Sequence, residues 1–150
     1  MMVVFLIEAA AILAFWKLAD LTRARELFPV IITGGFIRFL EHYLLVDRFQ
    51  FWEIHGPHWQ QLWIPISLDL TVWPVVFYLY IQFLPPKNRL LYGILWVGLM
   101  LFNVESLKVL KVISMQKGWH IGYSALLISF NFVFIYVIWN WLQGKPISTT

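Results

Sequence analysis

Five apolar runs of roughly 18–23 residues divide this chain, covering residues 1–18, 27–46, 62–84, 90–110 and 121–142. A helix rising 1.5 Å per residue needs about 20 residues to cross a hydrocarbon core. Backbone immersed in lipid finds no water to bond, so a spanning segment closes its hydrogen bonds within a helix or around a closed barrel. None of the runs alternates in polarity as barrel strands do. The expected fold is therefore all-α: an integral membrane helical bundle forming a single transmembrane domain over residues 1–150. It has five transmembrane helices, or four if one of the two charge-bearing leading segments does not cross.

Composition points the same way. Hydrophobic residues make up 61% of the chain and charged residues only 13%, with a mean hydropathy of +0.74. Soluble domains carry about 25% charged residues, and a chain this short in water would leave too much apolar surface uncovered. The bilayer is thus the first partner. The eleven Lys and Arg residues are scattered singly, with no basic stripe to follow a phosphate backbone, which argues against nucleic acid. Cysteine is absent, excluding disulfides and thiolate chemistry. The leading MMVVFLIEAAAILAFW has no basic n-region and reads as a retained helix rather than a cleaved signal.

Segment one carries Glu8 and Lys17, and segment two carries Arg38, Glu41 and His42. A central ionised group costs about 2.5–3.5 kcal/mol on insertion scales, so these groups need partners inside the bundle. Pro29 is expected in the first turn of segment two, where it is tolerated. Pro65 and Pro74 are candidates to kink segment three. In the five-helix arrangement Lys17, Arg23, Arg25, Lys87, Arg89 and Lys145 lie on one side, against Arg48, Lys108, Lys111 and Lys117 on the other. That six-to-four excess favours an external N-terminus and a cytoplasmic C-terminus.

Placed by depth, the intramembrane polar groups gather in the outer half. Glu8 lies roughly 12 Å from the outer face and Asp69 roughly 10 Å, with Arg38, Glu41, His42 and Glu105 at comparable levels. Arg38, Glu41 and His42 share one stripe at i, i+3 and i+4. The functional reading is a polar vestibule, open to one side and lined by Glu8, Arg38, Glu41, His42, Asp69 and Glu105, that binds a small ligand or ion. It predicts that Glu8, Asp69 and Glu105 turn inward, near Arg38. The alternative is structural pairing, such as Arg38 with Asp69 or Glu8, and Glu105 with Lys108, holding helices together at about 0.6 kcal/mol per contact.

The loop string EIHGPHW raises a second chemistry. Glu53, His55 and His58 are zinc-ligand types, with His42 or His120 as a further nitrogen, and would make a metal-dependent membrane enzyme. His-x-x-His without a third ligand of known position is a weak signal, and the chain has no His-Glu-x-x-His, Gly-x-Ser-x-Gly, phosphate loop or dinucleotide fingerprint. The preferred expectation is no cofactor and no enzyme activity. Of nine tryptophans, most fall near the two boundaries as interfacial belts, and Trp73 and Trp96 lie deep.

Asp69 and Pro74, the stretch YIQFLP at 80–85, and FNVESLKVLKVISMQKGWHIGYS, in which Glu105 precedes Lys117-Gly118-Trp119 and Tyr123-Ser124, carry a resemblance over residues 62–142. They resemble a family of small uncharacterised polytopic membrane proteins of spore-forming Firmicutes. That family has no assigned reaction or ligand. The resemblance implies a multi-pass protein of a bacterial plasma membrane and transfers no functional residue. Acting as a homo-oligomer, or as a subunit beside other membrane proteins, is a further expectation for a chain with so few helices.

Overall fold

The computed structural model describes residues 2–144; Met1 and Lys145, which enter the first span and the orientation count above, lie outside them. Five α-helices follow one another: α1 (Met2–Leu18), α2 (Ala24–His42), α3 (His58–Gln82), α4 (Arg89–Val109) and α5 (Ile121–Leu142). A π-helical turn, Tyr43–Arg48, extends α2. Among the described residues four helices are long and apolar enough to cross a membrane, α2 with its flanking turns, α3, α4 and α5. The 17-residue α1 is shorter but packs along α3.

Helix α3 is the hub. α1, α2 and α5 all pack against it, while α4 lies outermost against α5. Its C-terminal half, Val76 through Ile81, is an unbroken run of buried side chains, as expected of a helix enclosed on all sides. The surface shows the opposite pattern: Trp16, Leu90, Phe102, Leu126 and Trp141 are among many large apolar side chains left exposed along the outer helices. An apolar surface of that extent is stable in lipid and not in water. The chain is a multi-pass helical membrane protein.

Hydrophobic burial does not drive helices together in lipid; close packing and hydrogen bonds do. Gly34 supplies the closest approach. A Cβ built there would lie 2.4 Å from Phe77 Cδ2 and 2.9 Å from Ile135 Cδ1, so α2 meets α3 and α5 only because this residue has no side chain. Further along, Tyr80, Tyr92, Trp96 and Phe132 interlock, with the Tyr80 and Phe132 rings 4.8 Å apart. Such pairs contribute about 0.5–1.5 kcal/mol each beyond their area.

The two ends of the bundle are built differently. At one end Gln82 clamps the α1–α2 turn, its Oε1 accepting from the Asp20 amide and its Nε2 donating to the Leu18 carbonyl, both at 2.7 Å. Tyr78 Oη donates to the Asp20 carbonyl beside it. At the other end two short strands, β1 (Trp52–Ile54) and β2 (Ile113–Met115), pair antiparallel, Glu53 opposite Ser114. This clasp joins the α2–α3 connection to the α4–α5 connection.

Three boundaries differ from the sequence expectation. Helix α3 starts at His58, capped by extended Pro57, so the second histidine of EIHGPHW is helical. Helix α2 starts at Ala24, which makes Pro29 its sixth residue and leaves the Arg25 carbonyl without its usual donor. The α2–α3 and α4–α5 connections, read as plain loops, are the paired strands just described.

Candidate functional site

Four of the six residues expected to line a vestibule come together between α2, α3 and α5. Arg38 Nη1 donates to Glu41 Oε2 at 2.5 Å, one turn along α2. Glu41 is completed from α5, where Asn131 Nδ2 donates to both carboxylate oxygens at 3.0 and 2.9 Å. The Arg38 guanidinium also sits 4.1 Å from the ring centroid of Trp73, a cation–π contact inside the bundle. Trp73 is thus already occupied by the protein's own cation. Arg38, Glu41, Asp69 and Asn131 are all at most 8% exposed, so the whole network is out of reach of lipid.

Asp69 is held more loosely. Its Oδ1 lies 3.7 Å from Arg38 Nε and its Oδ2 lies 3.9 Å from His42 Nδ1, both beyond direct hydrogen-bond reach. Asp69 Oδ2, Arg38 Nε and the indole Nε1 of Trp52 are buried without hydrogen-bond partners. All three residues border one internal cavity of about 60 Å³. A water needs about 10–15 Å³ of such space, so the cavity accommodates a few waters or one small ion. Buried polar groups without partners are rare in proteins, and here three of the residues that carry them border one cavity, which makes it the candidate site.

The cavity adjoins a larger cleft of about 670 Å³ at the clasp end. His42, Trp52, Ile54 and Pro65 border both, forming the partition between them. The cleft walls carry Asp47, Glu53, His58 and Lys117. The π-helical turn after His42 directs Tyr43, Val46 and Asp47 toward it. A π turn widens a helix locally and recurs where a side chain has to be re-aimed.

Glu105 does not belong to this cluster. It pairs with Lys108 one turn on, at 3.2 Å, on a half-exposed face of α4. Glu8 forms no ion pair with Arg38 among the described residues; its Oε1 is buried without a partner at a separate place on α1. The inward convergence of three carboxylates on Arg38 is therefore corrected to one, Asp69, joined by Glu41 of the same helix as Arg38. Glu105 is diverted because its lysine partner is local and needs no tertiary arrangement.

The metal constellation is also corrected. Glu53 sits on β1 and accepts from Gln116 Nε2 at 2.9 Å. His55 and His58 are exposed, on either side of Gly56-Pro57. His120 caps α5, its Nδ1 accepting from the Gly122 amide at 3.1 Å. Among the described residues no three His, Asp or Glu side chains are disposed to hold a metal ion. The enzyme reading built on that loop thus loses its ligand set.

Sequence reasoning left three contributors out of the vestibule: Asn131, Trp73 and Asn103, the last bordering the inner cavity from α4. An asparagine in an otherwise apolar span is itself a signal of interhelical bonding, and it identifies Asn131. Nothing in sequence pairs Trp73 with Arg38.

The fold and this network define a multi-pass helical membrane protein with a buried charged cluster. Comparison with protein-family models, curated proteins and solved structures finds no match to this chain.

Proposed function

We propose that this protein binds a small cation, an inorganic ion or a compact ammonium group, at Asp69, and that the ligand arrives through the clasp-end cleft past His42. The observation that carries this reading is Asp69 itself, which borders the cavity and whose buried Oδ2 has no hydrogen-bond donor. Charge count supports the sign of the ligand. One guanidinium faces two carboxyl groups in the cluster, and the cleft adds Asp47 and Glu53 against Lys117. Ionisable groups at membrane depth serve ion and substrate pathways by default.

Five helices without an internal repeat are few for a stand-alone transporter. The role is therefore that of a binding protein or a subunit of an assembly, with a second copy or another membrane protein completing any pathway. The bacterial plasma membrane as its location follows from the family resemblance, and the external N-terminus from the Lys and Arg distribution.

The test is thermal unfolding of the purified protein in lipid nanodiscs, titrated with sodium, potassium or methylammonium. A saturable rise in Tm with one of these, abolished in Asp69→Asn, is expected, since a ligand that binds only the folded state stabilises it. A network that only holds helices together gives an Asp69→Asn variant of altered Tm but no cation dependence in either protein. That outcome would overturn the proposal.

A further inference from the structure

Far from the charged cluster, α4 and α5 leave a groove between them of about 390 Å³, open to the lipid side. Its walls are Gly93, Ile94 and Val97 of α4 and Ser129, Phe132 and Val133 of α5. Its floor includes Tyr80, fixed by the interlocked rings of Tyr92, Trp96 and Phe132. The groove is therefore preformed rather than a gap between mobile side chains. Gly93 faces its open space, since a Cβ there would meet nothing within 4 Å.

Chemistry at the groove's end is cationic. Arg89 borders it and donates to Tyr136 Oη at 2.7 Å, and among the described residues Arg89 has no carboxylate partner. Arg89 occupies the first turn of α4, where the helix dipole already presents positive charge and acidic residues are the usual complement. This turn holds no acidic residue, and the N-cap Asn88 makes no side-chain capping bond. Lys87 adds a further cation two positions earlier. The α4 N-terminus thus gathers two cations and a dipole of the same sign with no anion to balance them.

From Arg89 to Val97 the α4 wall runs about 12 Å along the helix, most of one leaflet of a core about 30 Å thick. An apolar channel of one-leaflet length, headed by an arginine at the membrane boundary, has the layout of one lipid molecule. We propose that this groove holds an anionic phospholipid, its acyl chain along Gly93 and Val97 and its headgroup phosphate against Arg89 and Tyr136. The site is independent of the Asp69 cavity.

Native mass spectrometry of the full chain, reconstituted with equal amounts of phosphatidylglycerol and phosphatidylcholine of the same acyl chains, tests this. The wild type is expected to retain one lipid, with a roughly fivefold preference for phosphatidylglycerol, the scale set by one basic side chain at an anionic surface. Arg89→Gln should abolish the preference while still retaining lipid. Gly93→Leu should lose the bound lipid altogether by filling the groove. Gly98→Leu is the control for fold and surface apolarity, because Gly98 also faces open space but does not line the groove, and it should behave as wild type. Equal retention of the two lipids by the wild type, or lipid retained in Gly93→Leu, overturns the proposal. So does a dimer that disappears in Gly93→Leu without any lipid preference, which would give the groove to a second copy of the chain. Stabilisation by inorganic phosphate equal to that by phosphatidylglycerol would assign Arg89 to a free anion instead.

Discussion

Arg38 and Trp73 face each other across the α2–α3 interface, the guanidinium carbon 4.1 Å from the indole centroid. The same guanidinium bonds Glu41 and neighbours Asp69, so one side chain balances two carboxyl groups inside the membrane. Arg38→Ala leaves those carboxyl groups without a counter-ion, a change that destabilises by about 3–5 kcal/mol when the pair is buried. Arg38→Lys keeps the charge but gives up the planar fork and its stacking, and should fall between the two. Reversible unfolding in mixed detergent micelles would measure the series. Equal stability of all three proteins would show that the network contributes nothing.

Gly34 and Gly35 are neighbours in sequence with opposite surroundings. Gly34 is pressed against Phe77 and Ile135, whereas nothing lies within 4 Å of a Cβ at Gly35. Gly34→Ala should destabilise by about 1–3 kcal/mol through overpacking. Gly35→Ala should be neutral or slightly stabilising, since alanine favours the helix by up to about 1 kcal/mol. The same unfolding assay reads both, and a reversal of their order would contradict the packing described for α2.

The α1–α2 turn carries a pH dependence of known sign. Asp20 lies outside the spans, and the hydroxyl and amide of Thr22 donate to its Oδ1 at 2.6 and 3.0 Å. These bonds hold its carboxyl below the ordinary value of 3.8. A lowered folded-state pKa contributes stability that is present above the unfolded value and is lost as pH falls through the folded one. Amide exchange at Thr22, relative to a reference amide in the same turn, should therefore accelerate below about pH 4. Asp20→Ala should be fast at all pH values.

Zinc analysis checks the corrected metal reading. Protein purified without chelators should carry far less than one zinc per chain, unchanged in His55→Ala and His58→Ala. A stoichiometric metal lost in both variants would restore that loop as a ligand set.

How far the sequence reaches depends on how local the interaction is. Span lengths follow from hydrophobic runs, and the helix pattern of Arg38, Glu41 and His42 follows from 3.6-residue periodicity, so both were legible. Asp69 was legible by depth alone, because helices crossing in opposite directions bring equal depths together. Depth says nothing of rotation about the helix axis, which is why Glu8 and Glu105 were misplaced. The strand pair was not legible either: three residues carry no periodicity, and Glu53 meets Ser114 only after the two intervening helices, α3 and α4, have packed. The start of α3 at His58 was missed because Gly56-Pro57 reads equally well as a turn or as a helix entrance.

The strand clasp constrains motion at the mouth of the cleft. Beyond the paired strands, the Gln116 amide donates to the Phe51 carbonyl at 2.7 Å, and Lys117 Nζ donates to the Phe49 carbonyl at 2.8 Å. Two connections 60 residues apart in sequence are in this way stitched into one rim. Neither can lift as an independent flap. Any widening of the mouth has to carry the ends of α2, α3, α4 and α5 with it, so access to His42 is geared to the tilt of the helices themselves.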